Sequence, residues 1–458
     1  MRFLFTTLQT YESDFYGRVG AELMRRGHHV AHVTVSRSSA RRFREKGYEA
    51  FCLTDLIAEL DEPVDVAAER RRIEREYDLP SIREIYRTDW PCDGKPEAWS
   101  IARTVRHVLA LERAFDAIRP EVLVPEVGNE TIRVASHLIA LRRRIPVLFL
   151  LYTIFPNPLR LYVDTLHAPI VADDDVRELT PDERDELAAF RRSFTERAEP
   201  IRQHRRVPIE LRRARLFAEH LRRKRGEDRD NEYLRPWQLL AQNARELARA
   251  KAARPLYDEL DPQRPFVYFP LHVTDDYKIK KVIPHCIDQA SIVEQVADAL
   301  PPGYDLVLKE HPMSVGRNAL SLLRRLKRRA NVRLVSPHTS SHDLMRQAAA
   351  VAVISSTVGL EALLYEKPVL TLGQPFYAGY GITLDVDSFR ELRDQVPALL
   401  RFRPDSERVN RFLHAAMRAC YPGAPVLVDR SDENAVELAG SIEERAAQVL
   451  RERAPVPA

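Results

Sequence analysis

Between residues 266 and 372, short apolar runs alternate with stretches of helical period, and this constrains the fold more than anything else in the chain. Residues 266–270, 304–308, 332–335, 351–354 and 368–372 read as strands. The segments 291–300, 318–329, 341–349 and 358–365 read as helices. Strands joined through helices run parallel, and a parallel sheet needs helices on both faces. The same grammar recurs near the N-terminus. There, strands at 2–7, 30–35, 122–125 and 147–151 are separated by helices at 14–26 and 131–143, with Gly27 as a C-cap and a helical insertion near 60–115. The expected fold is α/β, with two Rossmann-like doubly wound domains and a charged helical connector. The boundaries are 1–171, 172–255 for the connector, 256–390, and 391–458 for C-terminal helices.

Glycine scarcity excludes two nucleotide motifs. Fifteen glycines in 458 residues is about half the usual proportion. Neither G-x-G-x-x-G nor G-x-x-x-x-G-K-[ST] can be laid on them. The four cysteines, Cys52, Cys92, Cys286 and Cys420, stand far apart without a C-x-x-C pair, which fits a reducing cytosol. The segment Met1 to Thr7 turns polar too early for a signal peptide. The longest apolar run, 145–155, is about half of what a membrane span needs. The expectation is a cytoplasmic protein. Lys+Arg outnumber Asp+Glu by 71 to 67, but the excess is uneven. Residues 202–225 hold ten basic and two acidic residues around Leu211, Leu216, Phe217 and Leu221. Such a segment is either a solvated helix face or a basic amphipathic helix for a membrane surface or polyanion. No zinc-finger, RNA-binding or basic-zipper pattern accompanies it, so nucleic acid is not an expected partner.

In open parallel sheets ligands sit beyond the carboxyl ends of strands, so the residues just after each strand carry the functional information. Lys309, Glu310, His311 and Pro312 follow one strand. They read either as a surface ion pair with a loop histidine or as a phosphate and nucleoside contact. Ser355, Ser356 and Thr357 lead into a helix that also carries Glu361. One hydroxyl suffices for an N-cap, and three leave room for an anion site on free backbone N–H groups. The run 373–383 holds Gly373, Gly379 and Gly381 around Phe376, Tyr377 and Tyr380, a loop suited either to aromatic packing or to stacking on a base or sugar. Lys278, Lys280 and Lys281 are a concentration in a chain with few lysines and read as solvated turn charges. Metal ligation finds little support. Asp385-Val386-Asp387 and Asp173-Asp174-Asp175 do not follow an apolar strand, and no metal site or resident cofactor is expected.

Together F-P-L-H-V-x-D-D from Phe269, K-E-H-P from Lys309, S-S-T-V-G-L-E-A-L from Ser355 and G-x-P-F-Y-x-x-x-G-I-T from Gly373 resemble the bacterial capsule polysaccharide biosynthesis/export family. Weaker landmarks are Asp14-Phe15-Tyr16, Arg26-Gly27-His28, Glu126-Val127-Gly128-Asn129 and Phe155-Pro156-Asn157. The resemblance implies a GT-B-like, metal-independent glycosyltransferase that uses a CMP-activated sugar such as 3-deoxy-octulosonate (Kdo). It implies nucleotide contacts from Lys309, His311, Pro312, Ser355, Ser356, Thr357, Glu361 and Tyr377. The N-terminal domain would bind a glycan or lipid-linked acceptor and supply a carboxylate. Glu126 is the first choice for it, with Asp14 and Glu12 as alternates. Peripheral contact with the inner membrane face would run through 202–225. Leu151 and Thr153 stand where the family pattern has an acidic residue and a glycine. Two other readings stay open: a CDP-glycerol-type glycerophosphotransferase, and a non-catalytic polysaccharide assembly or export protein.

Overall fold

The structure is a computed structural model that describes residues 1–60, 63–167, 169–197, 209–273 and 276–454. In the N-terminal domain, β1 (Arg2–Thr7), β2 (His29–Thr34), β3 (Glu49–Cys52) and β4 (Val122–Pro125) form a parallel sheet in the order β3-β2-β1-β4. An antiparallel hairpin of β5 (Leu148–Tyr152) and β6 (Leu159–Val163) joins β4 through a parallel bridge between Leu123 and Val147. In the C-terminal domain, β7 (Phe266–Pro270), β8 (Asp305–Lys309), β9 (Val332–Val335), β10 (Ala350–Val353), β11 (Val369–Thr371) and β12 (Leu384–Asp385) form a parallel sheet in the order β12-β11-β10-β7-β8-β9. Each sheet starts at its middle, grows to one side, and then crosses to the other. The switch points, β1/β4 and β7/β10, are where a crevice opens at the carboxyl ends.

Both sheets are buried on two faces, and period-two side chains divide between the layers. Leu4 points into one core cluster while Phe3 and Phe5 point into another. Phe266 and Tyr268 likewise oppose Val267 and Phe269. Each fully buried aromatic or aliphatic side chain contributes roughly 1.5–3 kcal/mol, so the layering is strongly specified.

The doubly wound α/β class and the long strands stand as expected from the sequence. Three short strands had no clear signal there. β3 carries Glu49, β6 carries Arg160, and β12 has two residues. The first helix begins earlier than its apolar period indicates, at Thr10, because Gln9 and Glu12 close a capping box. Gly27 takes φ +86° just past that helix, as a C-cap glycine should. The helix expected over 318–329 is confined to Leu320–Leu326.

The C-terminal helices divide between the domains: Leu392–Arg401 and Ser406–Arg418 stay on the second-domain cores, and the last crosses over. The last helix, Asp432–Arg453, packs Leu438, Ala439 and Ile442 against the N-terminal core around Phe15, Val19 and Leu23. Arg26 and His28 both bind Glu443 on it, at 2.9 and 2.8 Å. In the connector, helix Pro181–Arg197 sets Leu187, Phe190 and Phe194 on the C-terminal core. Asp228 and Tyr233 dock the end of the connector on the N-terminal domain, through Ser38 and Asp89. Among the described residues no helix is long and apolar enough to cross a membrane. Residues 202–208 of the basic segment, with Thr274 and Asp275, lie outside the described residues.

Candidate functional site

At the β1/β4 switch point, Glu126 follows β4 and is 8% exposed. The Tyr16 hydroxyl, from the helix after β1, donates to its Oε2. Burial, reinforced by the nearby charge of Glu12, pushes the Glu126 carboxyl up to about 7, against the opposing pull of Arg133. Glu12 is fixed. Its Oε2 accepts the backbone N–H groups of Leu8 (2.8 Å) and Gln9 (3.2 Å), and its Oε1 accepts Arg133 Nη2 at 2.8 Å. Arg133 also reaches Glu130 at 2.9 Å. Gly128 is required by this approach, because a Cβ there would stand 2.1 Å from Arg133 Nη1.

Glu126 and Glu12 therefore come together. Asp14 does not join them, which corrects the expectation for that residue. Two positions after Glu12 it lies on another face of the helix, half exposed, and pairs with Arg42 at 2.7 Å.

At the β7/β10 switch point, Ser356 is the N-cap of helix Thr357–Leu364 and accepts the Val358 N–H at 3.2 Å. Thr357 Oγ1 donates to Glu361 at 3.3 Å. The Ser355 hydroxyl is buried without a partner. The three hydroxyls thus have different roles: one caps the helix, one holds a carboxyl, and one is uncommitted. Lys309 ends β8 and donates to Ser341 Oγ at 2.6 Å. Burial lowers its ammonium to about 8, and burial raises Glu361, 4% exposed, to about 7. His311 Nδ1 accepts the Met313 N–H at 3.1 Å, which places the neutral ring's proton on Nε2. Pro312 starts that turn and is exposed.

Tyr377 is 1% exposed, and its hydroxyl donates to the Ser356 carbonyl. A ring so enclosed cannot stack on a base, which corrects that expectation. Its role is to brace the helix entry. Gly359 makes room for it, since a Cβ there would lie 2.1 Å from the phenolic oxygen. Asp385 shapes the same loop by accepting Thr371 and Thr383 hydroxyls at 2.6 Å and the Gly379 N–H at 2.7 Å.

Five residues escaped the sequence reading as site components. His272, after β7, accepts the Ser355 N–H at 3.1 Å and so ties the two sides of the switch point together. Burial keeps it neutral, with its pKa lowered to about 3. Lys278 begins a single π-helical turn, Lys278–Val282, and its Nζ lies 3.4 Å from the Ser355 carbonyl. Lys281 on the same turn donates to the Glu84 carbonyl of the N-terminal domain. Neither is a solvated turn charge, and the local concentration of a scarce residue was the available signal. Arg160 gave none. It sits on β6 with its guanidinium 4.1 Å from the centre of the Phe376 ring, across the domain boundary. Asp89 caps the helix after β4 through Thr131 N–H at 3.0 Å, and its charge reaches Lys281. Lys281 and Arg160 thus set the β7/β10 end of the second sheet against the N-terminal domain.

Residues 197–401 match a family model described as capsule polysaccharide biosynthesis protein. The chain is 31% identical over 150 residues to protein FixF of Sinorhizobium fredii, covering 32% of this chain and 36% of that one. It is 28% identical over 120 residues to the capsule polysaccharide modification protein LipA of Neisseria meningitidis serogroup B, covering 26% and 16%. The matches thus span about a third or less of these relatives' lengths. Among solved structures it resembles the beta Kdo 2,4 transferase of Thermosulfurimonas dismutans KpsC, at 18% identity and a TM-score of 0.38, over 66% of this chain and 79% of that one.

Proposed function

We propose, from the match of residues 197–401 to the capsule polysaccharide biosynthesis family model, that the chain is a glycosyltransferase that moves a Kdo-like sugar from a CMP-linked donor to a glycan or lipid-linked acceptor. The observation that carries this reading is the presence of two unlike clusters, one at each switch point. One holds a buried carboxyl raised to about 7, and the other holds a helix N-terminus with an uncommitted hydroxyl, a lysine and a histidine.

The nucleotide lies at the β7/β10 crevice. The Ser355 hydroxyl and the positive end of the helix dipole receive the phosphate, Lys309 adds positive charge, and His311 donates from Nε2. Glu361 lies beneath the hydroxyls and orients Thr357. In the transfer step Glu126 takes the proton of an acceptor hydroxyl. That oxygen forms the new bond to the anomeric carbon as the bond from carbon to phosphate oxygen breaks, and CMP departs with the electron pair. The charge that develops on the phosphate is where the preorganised donors act.

Calorimetric titration with CMP, CDP, UDP and GDP tests the reading. CMP is expected to bind most tightly and His311→Ala to weaken it. Tight UDP binding that ignores this substitution would overturn the CMP assignment. Turnover of CDP-glycerol but of no CMP-sugar would favour a glycerophosphotransferase.

We also propose peripheral membrane contact, broader than the basic run alone. The exposed side chains Leu216, Trp237, Leu240 and Leu247 lie on helices Ile209–Arg225 and Pro236–Ala253, beside Arg222, Lys224, Arg225 and Arg235. The Phe217 and Trp237 rings meet at 5.5 Å, which ties the two helices together. Apolar residues amid cations suit an anionic lipid surface. Co-sedimentation with vesicles containing anionic phospholipid is expected to fall for Trp237→Ser. Equal sedimentation of the variant and the unaltered chain would sink the proposal.

A further inference from the structure

Arg160 is 4% exposed. Its terminal nitrogens donate to the Tyr162 hydroxyl at 2.9 Å and the Tyr152 carbonyl at 3.1 Å, and Nε is buried without an acceptor. Lys278 approaches from the other domain. Burial first, and the Arg160 charge second, hold its ammonium down at about 8. The acid that acts on Lys278 is Asp276, whose carboxylate accepts the Lys278 backbone N–H at 2.7 Å. Among the described residues neither Arg160 nor Lys278 makes an ion pair within 4 Å. Both border the same stretch of backbone. Lys278 is bonded to the Ser355 carbonyl, while Arg160 stacks on Phe376, whose neighbour Tyr377 is bonded to the Ser356 carbonyl.

Two desolvated cations beside one stretch of backbone are costly unless an anion compensates them. Among the described residues, the hairpin places no carboxylate against Arg160. In the antiparallel register Leu151 stands directly opposite Arg160, so their side chains leave the same face with Cβ atoms about 5 Å apart. A carboxylate at 151 would neutralise Arg160, and leucine cannot. The Lys309 ammonium is engaged elsewhere, with Ser341.

We propose that Arg160 and Lys278 form an anion subsite across the interdomain cleft, next to the nucleotide crevice, which takes the carboxylate of an acidic sugar. The proposal rests on the donor reading above in assigning that sugar to the donor. Leu151 keeps the subsite charged by leaving Arg160 without a carboxylate from the facing strand. Specificity follows from this, because a neutral sugar would leave both cations buried and unpaired, whereas an acidic one relieves them.

The test is calorimetric titration of the full chain with free Kdo, glucose and CMP separately, on the unaltered protein and on Lys278→Met, Leu151→Glu and Leu151→Gln. The unaltered chain is expected to bind Kdo and not glucose. Lys278→Met and Leu151→Glu should each weaken Kdo at least tenfold, and Leu151→Gln should retain it, which separates charge from packing. CMP affinity should change less than twofold in the two Leu151 variants. Kdo binding unaffected by either charge-altering variant, or no preference for Kdo over glucose, overturns the subsite. So does an equal loss of CMP, which would assign the cations to the nucleotide phosphate. If CMP fails to bind the unaltered chain while Kdo still binds in this variant-sensitive way, the donor reading falls and the subsite stands.

Discussion

Glu126→Gln is expected to lower the rate of sugar transfer by about 10²- to 10⁴-fold, the usual contribution of a positioned general base. Nucleotide affinity should stay unchanged, because Glu126 belongs to the other crevice. With its carboxyl raised to about 7, the unaltered enzyme should lose activity as the pH falls below 7, since only the ionised form accepts a proton. The Tyr16 hydroxyl bond opposes the rise, so Tyr16→Phe should move that acidic limb to higher pH. Asp14→Asn, on the outer face, should change neither rate nor profile. A Glu126→Gln enzyme with full turnover, or a pH profile flat through 7, would remove Glu126 from the chemistry. The same group has a stability signature of opposite sense. The folded chain holds this proton more tightly than the unfolded one. The resulting contribution is fully present below the ordinary carboxyl value and is lost as the pH rises through about 7.

Arg133→Met should cost about 3–5 kcal/mol of unfolding free energy, which is the scale for breaking a buried ion pair by removing one partner. The guanidinium satisfies Glu12 at 2.8 Å and Glu130 at 2.9 Å, and Glu12 is 2% exposed. Without Arg133 these carboxylates are left buried and uncompensated, and the Glu126 carboxyl, now held down by that cation, climbs further. Urea denaturation checks the first effect and the pH-rate profile the second. A second substitution, Glu12→Gln, should recover part of the lost stability. A loss below about 1 kcal/mol, the level of an exposed pair, would show that the cluster is far more solvated than its burial indicates.

Much of the frame is legible in the sequence because its signals are local. A strand such as Val351 to Val353 is a continuous apolar run, and its successor helix announces itself with Ser355, Ser356 and Thr357. Glu126 stands directly after an apolar strand, where a parallel sheet exposes its ligand-facing ends. Strands β3 and β6 escape because Glu49 and Arg160 interrupt their apolar runs. Ser356 and Tyr377 illustrate a different limit. Residue type permits both a ligand contact and a structural role, and the choice depends on what lies nearby. The Val358 N–H takes the Ser356 hydroxyl, and the space above Gly359 takes the Tyr377 ring.

The sequence by itself determined two doubly wound domains, the strand ends to inspect, and the absence of a glycine-rich nucleotide loop, because period, capping residues and composition act within a few residues. Tertiary structure alone decided which charges meet. It sent Asp14 outward, closed Glu12, Glu126, Tyr16 and Arg133 into one cluster, and turned Lys278 from an apparent surface charge into a desolvated cation beside Arg160. Residues in contact there are separated by up to 121 positions and are juxtaposed only by sheet order and domain docking. Their proton affinities follow from burial and neighbours, which no local pattern encodes.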